Sequence, residues 1–320
     1  MKVLLVGATG QIGYALAAAL AASGHALTVL VRGERQGFPA GVRVLQAERF
    51  TPEVFAGALQ GMDIAIYGVG LPEQFAFDTG VFDRVNLDIF RAFLAALEKT
   101  PVRRLVYIST YEVFQAVDGQ IRETHAPTGL AGMSPYFQAM IKAYALAQAE
   151  AQRLGLRLTT IHPAAVYGGR NTGDGFTNYL ENLVRWNLLK MPANVAGHFP
   201  VVHAASLADA IVRSLEHTGA YLVSEGMTSM PELARALRRH MRSYVPITLP
   251  RSLAYVSAAA LEGLSWVTRR RPILARVQVD FITSGHQPLA DKARAELGWQ
   301  PMTLDQGLAR YLRERSKPRA

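Results

Sequence analysis

The stretch Lys2-Val3-Leu4-Leu5-Val6-Gly7-Ala8-Thr9-Gly10-Gln11-Ile12-Gly13 decides the fold. A short branched apolar run meets three evenly spaced glycines, and an alanine-rich segment of helical period, Ile12–Ala22, follows at once. Glycines at such a turn permit a tight bend and close approach of backbone to a ligand. The free amides and the dipole at a helix start then favour an anion. The pattern predicts a strand, a turn and a helix that cradle a pyrophosphate, with Gly7, Thr9, Gly10, Gln11, Ile12 and Gly13 lining it.

Working outward, short apolar runs recur at Leu27–Val31, Val42–Leu45, Ile64–Tyr67, Leu105–Ile108 and Leu158–Ile161. Longer helical stretches lie between them, including Val81–Leu97 and Pro135–Leu154. Strands alternating with helices predict an α/β fold, a doubly wound parallel sheet covered on both faces. The alternation fades after Gly168, while Val201–His203 and Tyr221–Val223 read as late strands returning to the sheet. The expected organisation is a dinucleotide-binding unit over 1–169 with returning segments at about 199–225. A smaller, discontinuous C-terminal substrate lobe would take 170–198 and 226–320. Ser229 and Glu232 before Leu233 predict a capping box at the start of one lobe helix.

Composition narrows the classes. The chain has no cysteine, which excludes disulfides, thiolate metal sites and a cysteine nucleophile, and its histidines form no metal-spaced cluster, so no metal site is expected. The net charge is +9, but the cations are scattered except at Arg269-Arg270-Arg271, so no basic stripe points to nucleic acid. No apolar run reaches the roughly 18 residues of a membrane span, and the chain opens without a secretory pattern, so a cytoplasmic protein is expected. Leu253–Thr268 is apolar apart from Glu262 and runs into the three arginines. It is expected to be a lobe helix with a solvated basic end, the alternative being a helix lying on a membrane surface.

The second apolar run ends in Val31-Arg32, with Arg35 close behind, where a carboxylate would accept from the ribose of NAD. Arginines suit a 2′-phosphate instead, so the expected cofactor is NADP (NADPH) in preference to NAD. The other reading of Arg32 is a solvated loop charge or an adenine stack.

The ordered series resembles an extended short-chain dehydrogenase/reductase, the NAD-dependent epimerase/dehydratase group. It is carried by Gly7–Gly13, Asp63, Asn86, Val106-Tyr107-Ile108-Ser109-Thr110, Ser134-Pro135-Tyr136, His162-Pro163, Val166-Tyr167-Gly168 and the closing Leu297-Gly298-Trp299-Gln300-Pro301. The resemblance implies a Rossmann fold, a homodimer formed through Val81–Leu97 and Pro135–Leu154, and a cofactor site that adds Gly68, Asn86, Ser109, His162 and Pro163. It also implies Thr110 as anchor of the substrate oxygen and Tyr136 as proton donor. The family's lysine, four residues after the tyrosine, binds the nicotinamide ribose, and Met140 stands there. Lys142 is about 240° around the helix from Tyr136 and points elsewhere.

A protonated tyrosine can still give a proton to an alkoxide, but a thioether cannot stabilise a phenolate, so Met140 favours reduction over oxidation. Sugar-nucleotide dehydratases resemble Thr110-Tyr111-Glu112, but Tyr111 replaces their first carboxylate. Glu112 either touches substrate or solvates a loop. The positions that would grip a nucleotide diphosphate hold Phe199 and Thr283, and Phe176, Tyr179, Trp186, Leu188, Leu189 and Met191 offer an apolar lining. The tail is similar to the 3β-hydroxysteroid dehydrogenase and dihydroflavonol reductase branch. The first expectation is therefore an oxidoreductase acting on a small, mainly apolar carbonyl or alcohol. A nucleotide-sugar epimerase or dehydratase is the second reading, and a non-catalytic cofactor-binding sensor or scaffold the third.

Overall fold

A computed structural model describes residues 1–33, 37–71, 75–170, 176–177, 180, 194–195, 197–240 and 248–315. The central sheet contains β1 (Lys2–Val6), β2 (Ala26–Val31), β3 (Arg43–Gln46), β4 (Ile64–Tyr67), β5 (Arg104–Ile108), β6 (Arg157–Pro163) and β7 (Gly219–Val223). All are parallel, in the order β7-β6-β5-β4-β1-β2-β3. The order reverses direction beside β1, the switch point where such sheets open a crevice for ligands.

Alternation along each strand divides the core. Leu4 and Val6 face one side with Ala65, Tyr67, Leu105 and Tyr107, against α2 (Pro52–Leu59), α3 (Ile89–Glu98) and α4 (Pro135–Leu154). Val3 and Leu5 face the other with Val29, Ile64 and Ile66, against α1 (Gln11–Ala22) and α5 (Ala204–Ser214). Both faces of the strands are apolar because both are covered.

A third buried cluster gathers α6 (Met230–Arg238), α7 (Arg251–Thr268), α8 (Arg276–Thr283) and Tyr311 around Phe199 and Val201. The predicted capping box of α6 is present, with Ser229 and Glu232 satisfying each other's backbone amides. One expectation is corrected. Val201–His203 does not return to the central sheet. The strand Phe199–His203 pairs with Ala165–Tyr167 and Gly226–Thr228 in a separate three-stranded sheet, and only Gly219–Val223 joins the main one. Tyr179, Trp186, Leu188, Leu189 and Met191 lie outside the described residues, as does Arg35.

Candidate active site

The glycine turn is built by close backbone approach. Gly7 has φ +94°, and a Cβ there would stand 2.5 Å from the carbonyl carbon and oxygen of Gly68. A Cβ on Gly13 would stand 2.2 Å from the Gly7 carbonyl oxygen, so helix and turn can close only around a bare Cα. Among the described residues no side chain caps the amides that open α1, which suits them to a ligand. The Gln11 side chain, in contrast, is turned away from that task. Its amide donates to the carbonyls of Val166 and Gly168 at 3.3 and 2.9 Å, tying the turn to the segment after β6. Arg32 follows β2 directly and is exposed, its guanidinium 5.9 Å from the centre of the Phe50 ring.

Asn86 sits in a π-helical turn, Arg84–Asp88, a rare geometry often found at functional sites. Its carbonyl oxygen accepts from the Leu71 amide at 2.7 Å and so pins the loop that begins at Gly68. Its Nδ2 is buried and has no hydrogen-bond partner among the described residues. A buried donor without an acceptor is costly, and a bound polar ligand would satisfy it. These features fit a nicotinamide dinucleotide.

The candidate catalytic corner forms where β5 ends and α4 begins. Ser134 caps α4 and Pro135 occupies its first position, which fixes Tyr136 in the first helical turn. The Tyr136 ring packs edge-on against Phe82 and Phe137 at 5.9 and 5.0 Å. Burial, then the nearby Glu112 carboxylate, then Tyr107 push its phenol well above the ordinary value, so it stays protonated. The Thr110 hydroxyl donates to the Glu112 carboxylate. Burial raises Glu112 to about 7, against the opposing pull of hydrogen bonds from Thr110, its own backbone amide and Tyr111. Glu112 is therefore a largely buried acid beside the tyrosine, and its reading as a solvated loop charge is overturned. Tyr111 is buried, its phenol raised mainly by burial, and supplies no second carboxylate.

Five other residues singled out in the sequence have defined surroundings. His162 is fully buried, its ring edge-on to Phe114 and Tyr144. Its Nδ1–H donates to the Thr110 carbonyl at 3.0 Å, since a carbonyl can only accept, and its Nε2 accepts from the Thr160 hydroxyl at 2.8 Å. Burial pushes its pKa down to about 3. Both ring nitrogens are thus spent on the protein, and His162 is a strut under Thr110, not a hydrogen-bonding cofactor ligand. Met140 is buried within the core between α4 and the sheet, and Lys142 pairs with Asp83 at 3.2 Å. Ser109 is buried at the end of β5, its amide bonded to the Ile161 carbonyl at 2.8 Å, and Pro163 is buried at the end of β6.

Sequence reasoning gave no hint of Glu225, a second carboxylate that burial raises to about 7. It accepts from the His203 amide at 3.1 Å and the Tyr167 hydroxyl at 3.3 Å, both on adjacent strands of the three-stranded sheet. Phe199 is fully buried, and the Thr283 hydroxyl donates to the Val279 carbonyl at 2.8 Å within its own helix. Neither offers a diphosphate anything. Among the described residues there is no cluster that could hold a metal ion.

Comparison with known proteins bears on the family and the fold. The chain is 22% identical over 97% of its length to N-acetyl-alpha-D-glucosaminyl-diphospho-ditrans,octacis-undecaprenol 4-epimerase from Escherichia coli O157:H7, covering 94% of that protein. It is 25% identical over 94% of its length to 3-diazoavenalumate denitrifying reductase from a Streptomyces species, covering 96% of it. The solved structure of MoeE5 in complex with UDP-glucose and NAD superposes with a TM-score of 0.75 at 20% identity, covering 98% of both chains. Residues 3–224 match the family model described as the NAD dependent epimerase/dehydratase family, and the chain belongs to that family.

Proposed function

We propose that this protein is an oxidoreductase that prefers NADP and reduces a small, mainly apolar carbonyl compound, or oxidises the matching alcohol. The observation that carries the proposal is the corner of Thr110, Glu112 and Tyr136 at the end of β5, with its protonated phenol and a carboxyl group poised near pH 7. The turn at Gly7–Gly13, the amides of α1 and the free Nδ2 of Asn86 would hold the dinucleotide, and Arg32 would reach its 2′-phosphate. When bound, the nicotinamide supplies or accepts the hydride.

Thr110, braced from below by His162, holds the substrate oxygen, and Tyr136 gives it a proton. Glu112 stands close enough to raise the phenol and lies near its own pKa at neutral pH, so it serves as the reservoir from which Tyr136 is reprotonated. In the oxidative direction the ionised Glu112 takes the proton, a route that needs no lysine at position 140. Met140 therefore weighs less against oxidation than its chemistry alone implies. A homodimer through Val81–Leu97 and α4, and a cytoplasmic location, belong to the same proposal.

The second reading, a nucleotide-sugar epimerase or dehydratase, is favoured by the names of the relatives and opposed by Phe199 and Thr283. Single-turnover reduction of a panel of apolar carbonyl compounds with NADPH tests the proposal. Turnover that Tyr136→Phe abolishes is expected. Micromolar binding of UDP-sugars by calorimetry, with no carbonyl reduced, would promote the epimerase. NADPH binding without turnover of either substrate class would leave a cofactor-binding scaffold.

A further inference from the structure

The outward face of α7 inverts the usual order of a surface helix. Ala254, Ala258 and Ser265 are its buried residues, a narrow seam of small side chains against the lobe. At 100° per residue, Leu253, Val256, Ala260, Leu264 and Val267 share an arc of about 80° on the opposite side. Leu253, Val256, Leu264 and Val267, with Trp266 beside them, are 51% to 81% exposed. No charged residue falls within that arc.

The charges that α7 carries are held elsewhere. Arg251 pairs with Asp280 at 2.8 Å, and Glu262 accepts from the amide and the Nε of Arg276 at 2.7 and 2.8 Å. Both charged partners lie on α8, on the lobe side of the helix. The expectation of an ordinary lobe helix with a solvated end is therefore only half met, because the face turned to water is the apolar one. Contiguous apolar surface of this kind marks a binding face.

The end of the helix says what the face meets. Arg269, Arg270 and Arg271 are exposed where α7 stops, beside exposed Ile273, and Arg269 lies 5.9 Å from the centre of the Trp266 ring. The helix dipole would favour cations there but gives no account of the apolar stripe. An amphipathic helix with tryptophan at its boundary and arginines at its end is complementary to acyl chains bordered by anionic headgroups. At 18 residues, α7 is about 27 Å long, and among the described residues no helix is long and apolar enough to cross a membrane. It can lie on a bilayer but not span one.

We propose that the protein docks peripherally on an anionic lipid bilayer through the exposed face of α7 and Arg269–Arg271. Trp266 packs edge-on against Phe77 at 5.3 Å, and Phe77 meets Phe75 at 5.4 Å, in the chain segment between β4 and α3. Docking thus couples to the segment that leaves the cofactor cleft. The inference rests on α7 alone and stands whether or not the catalytic proposal does.

The test is sedimentation of the full chain with vesicles of neutral phosphatidylcholine and with vesicles carrying phosphatidylglycerol. Binding to the anionic vesicles alone, weakened by salt, is expected. The change Arg269→Gln/Arg270→Gln/Arg271→Gln should weaken partitioning on the order of a hundredfold, and Val256→Glu/Val267→Glu should abolish it. Quenching of the Trp266 emission by brominated lipid in the unaltered chain, absent in Trp266→Phe, checks the face without any variant that might misfold. Absence of both sedimentation and quenching with anionic vesicles at low salt overturns the proposal. So does a lipid-free dimer that Val256→Glu/Val267→Glu converts to monomer, which would assign the face to a second copy of the chain.

Discussion

The proposed cofactor cradle and the proposed catalytic corner lie on the same edge of the same sheet, yet they are built by different means. At the cradle, the shape is a property of backbone. Gly7 and Gly13 are required because a Cβ would strike main-chain atoms, whatever the surrounding side chains do. At the corner, the chemistry is a property of burial. Glu112 and Tyr136 acquire their proton affinities from desolvation first, opposed at Glu112 by the hydrogen bond from Thr110 and reinforced at Tyr136 by the Glu112 charge. A backbone device leaves a spacing in the sequence, whereas a burial device leaves almost none.

The largest expected effect tests the corner. If Glu112 exchanges protons with Tyr136, single-turnover oxidation of the alcohol should rise through about pH 7 as Glu112 ionises. Glu112→Gln keeps the shape and a partner for Thr110 but cannot carry the proton. It should flatten that pH profile and slow oxidation by about 10²–10⁴-fold, the usual worth of a positioned acid or base. A Gln variant with the parent's rate and profile would reduce Glu112 to a packing residue and erase the contrast between the two regions.

The cradle is broken by adding one carbon. Gly13→Ala places a Cβ against the Gly7 carbonyl and the Ala8 backbone at 2.2 and 2.6 Å, and neither can swing away as a side chain would. The expected cost is about 1–3 kcal/mol of stability, together with loss of dinucleotide binding. Gly10→Ala is the sharpening control. Its Cβ would meet only the Gly7 oxygen, at an ordinary 3.5 Å, so its melting temperature should stay near the parent's while cofactor affinity falls. Thermal melts and fluorescence titration of both variants check this, and equal melting of all three proteins would refute the backbone account.

The legibility of each part follows from the same distinction. The strand and helix positions, the helix start at Ser134-Pro135 and the glycine turn were readable because each is local and periodic. The misplacement of Val201–His203 had a physical reason. A five-residue apolar strand buried on both faces looks alike in any sheet, and only its long-range pairing with Ala165–Tyr167 and Gly226–Thr228 decides which sheet it joins. His162 was placed at the cofactor because resemblance fixes position, whereas the use of its two nitrogens depends on Thr110 and Thr160. For α7 the apolar pattern was visible, but which side faced water was settled by the small seam of Ala254, Ala258 and Ser265.

A middle-sized effect links the corner to folding. In the unfolded chain Glu112 would release its proton near its ordinary 4.5, but the folded protein holds it to about pH 7. Between these values the native state binds more protons, so this group makes stability fall as pH rises from about 4.5 to 7. Glu112→Gln removes that loss, and its stability relative to the parent should climb across the same window, by about 1–3 kcal/mol at pH 8, with the melting temperature rising in step. His162 acts in the opposite sense. It is neutral in the fold down to about 3 against an ordinary 6.5, so stability falls as pH drops below 6.5, equally in both proteins. A constant difference in melting temperature from pH 5 to 8 would show that Glu112 is not held protonated.

The smallest effect concerns the outer end of the cradle, where side chain and not backbone would choose the cofactor. Arg32 follows β2 and is exposed, so nothing in the fold requires an arginine there and stability should be indifferent to its replacement. Its contribution would come from a charge-assisted contact with the 2′-phosphate, partly screened by solvent. About 1.4 kcal/mol, or tenfold in dissociation constant, is a reasonable size. Arg32→Asp should therefore bring the affinities for NADPH and NADH together or invert them, because a carboxylate repels the phosphate and accepts from the ribose hydroxyl. Raising the salt should weaken NADPH binding to the parent more than NADH binding. Titration of both cofactors against both proteins measures this directly. Equal affinities in the parent would mean that Arg32 only covers Phe50, and the cradle would then be a backbone device along its whole length.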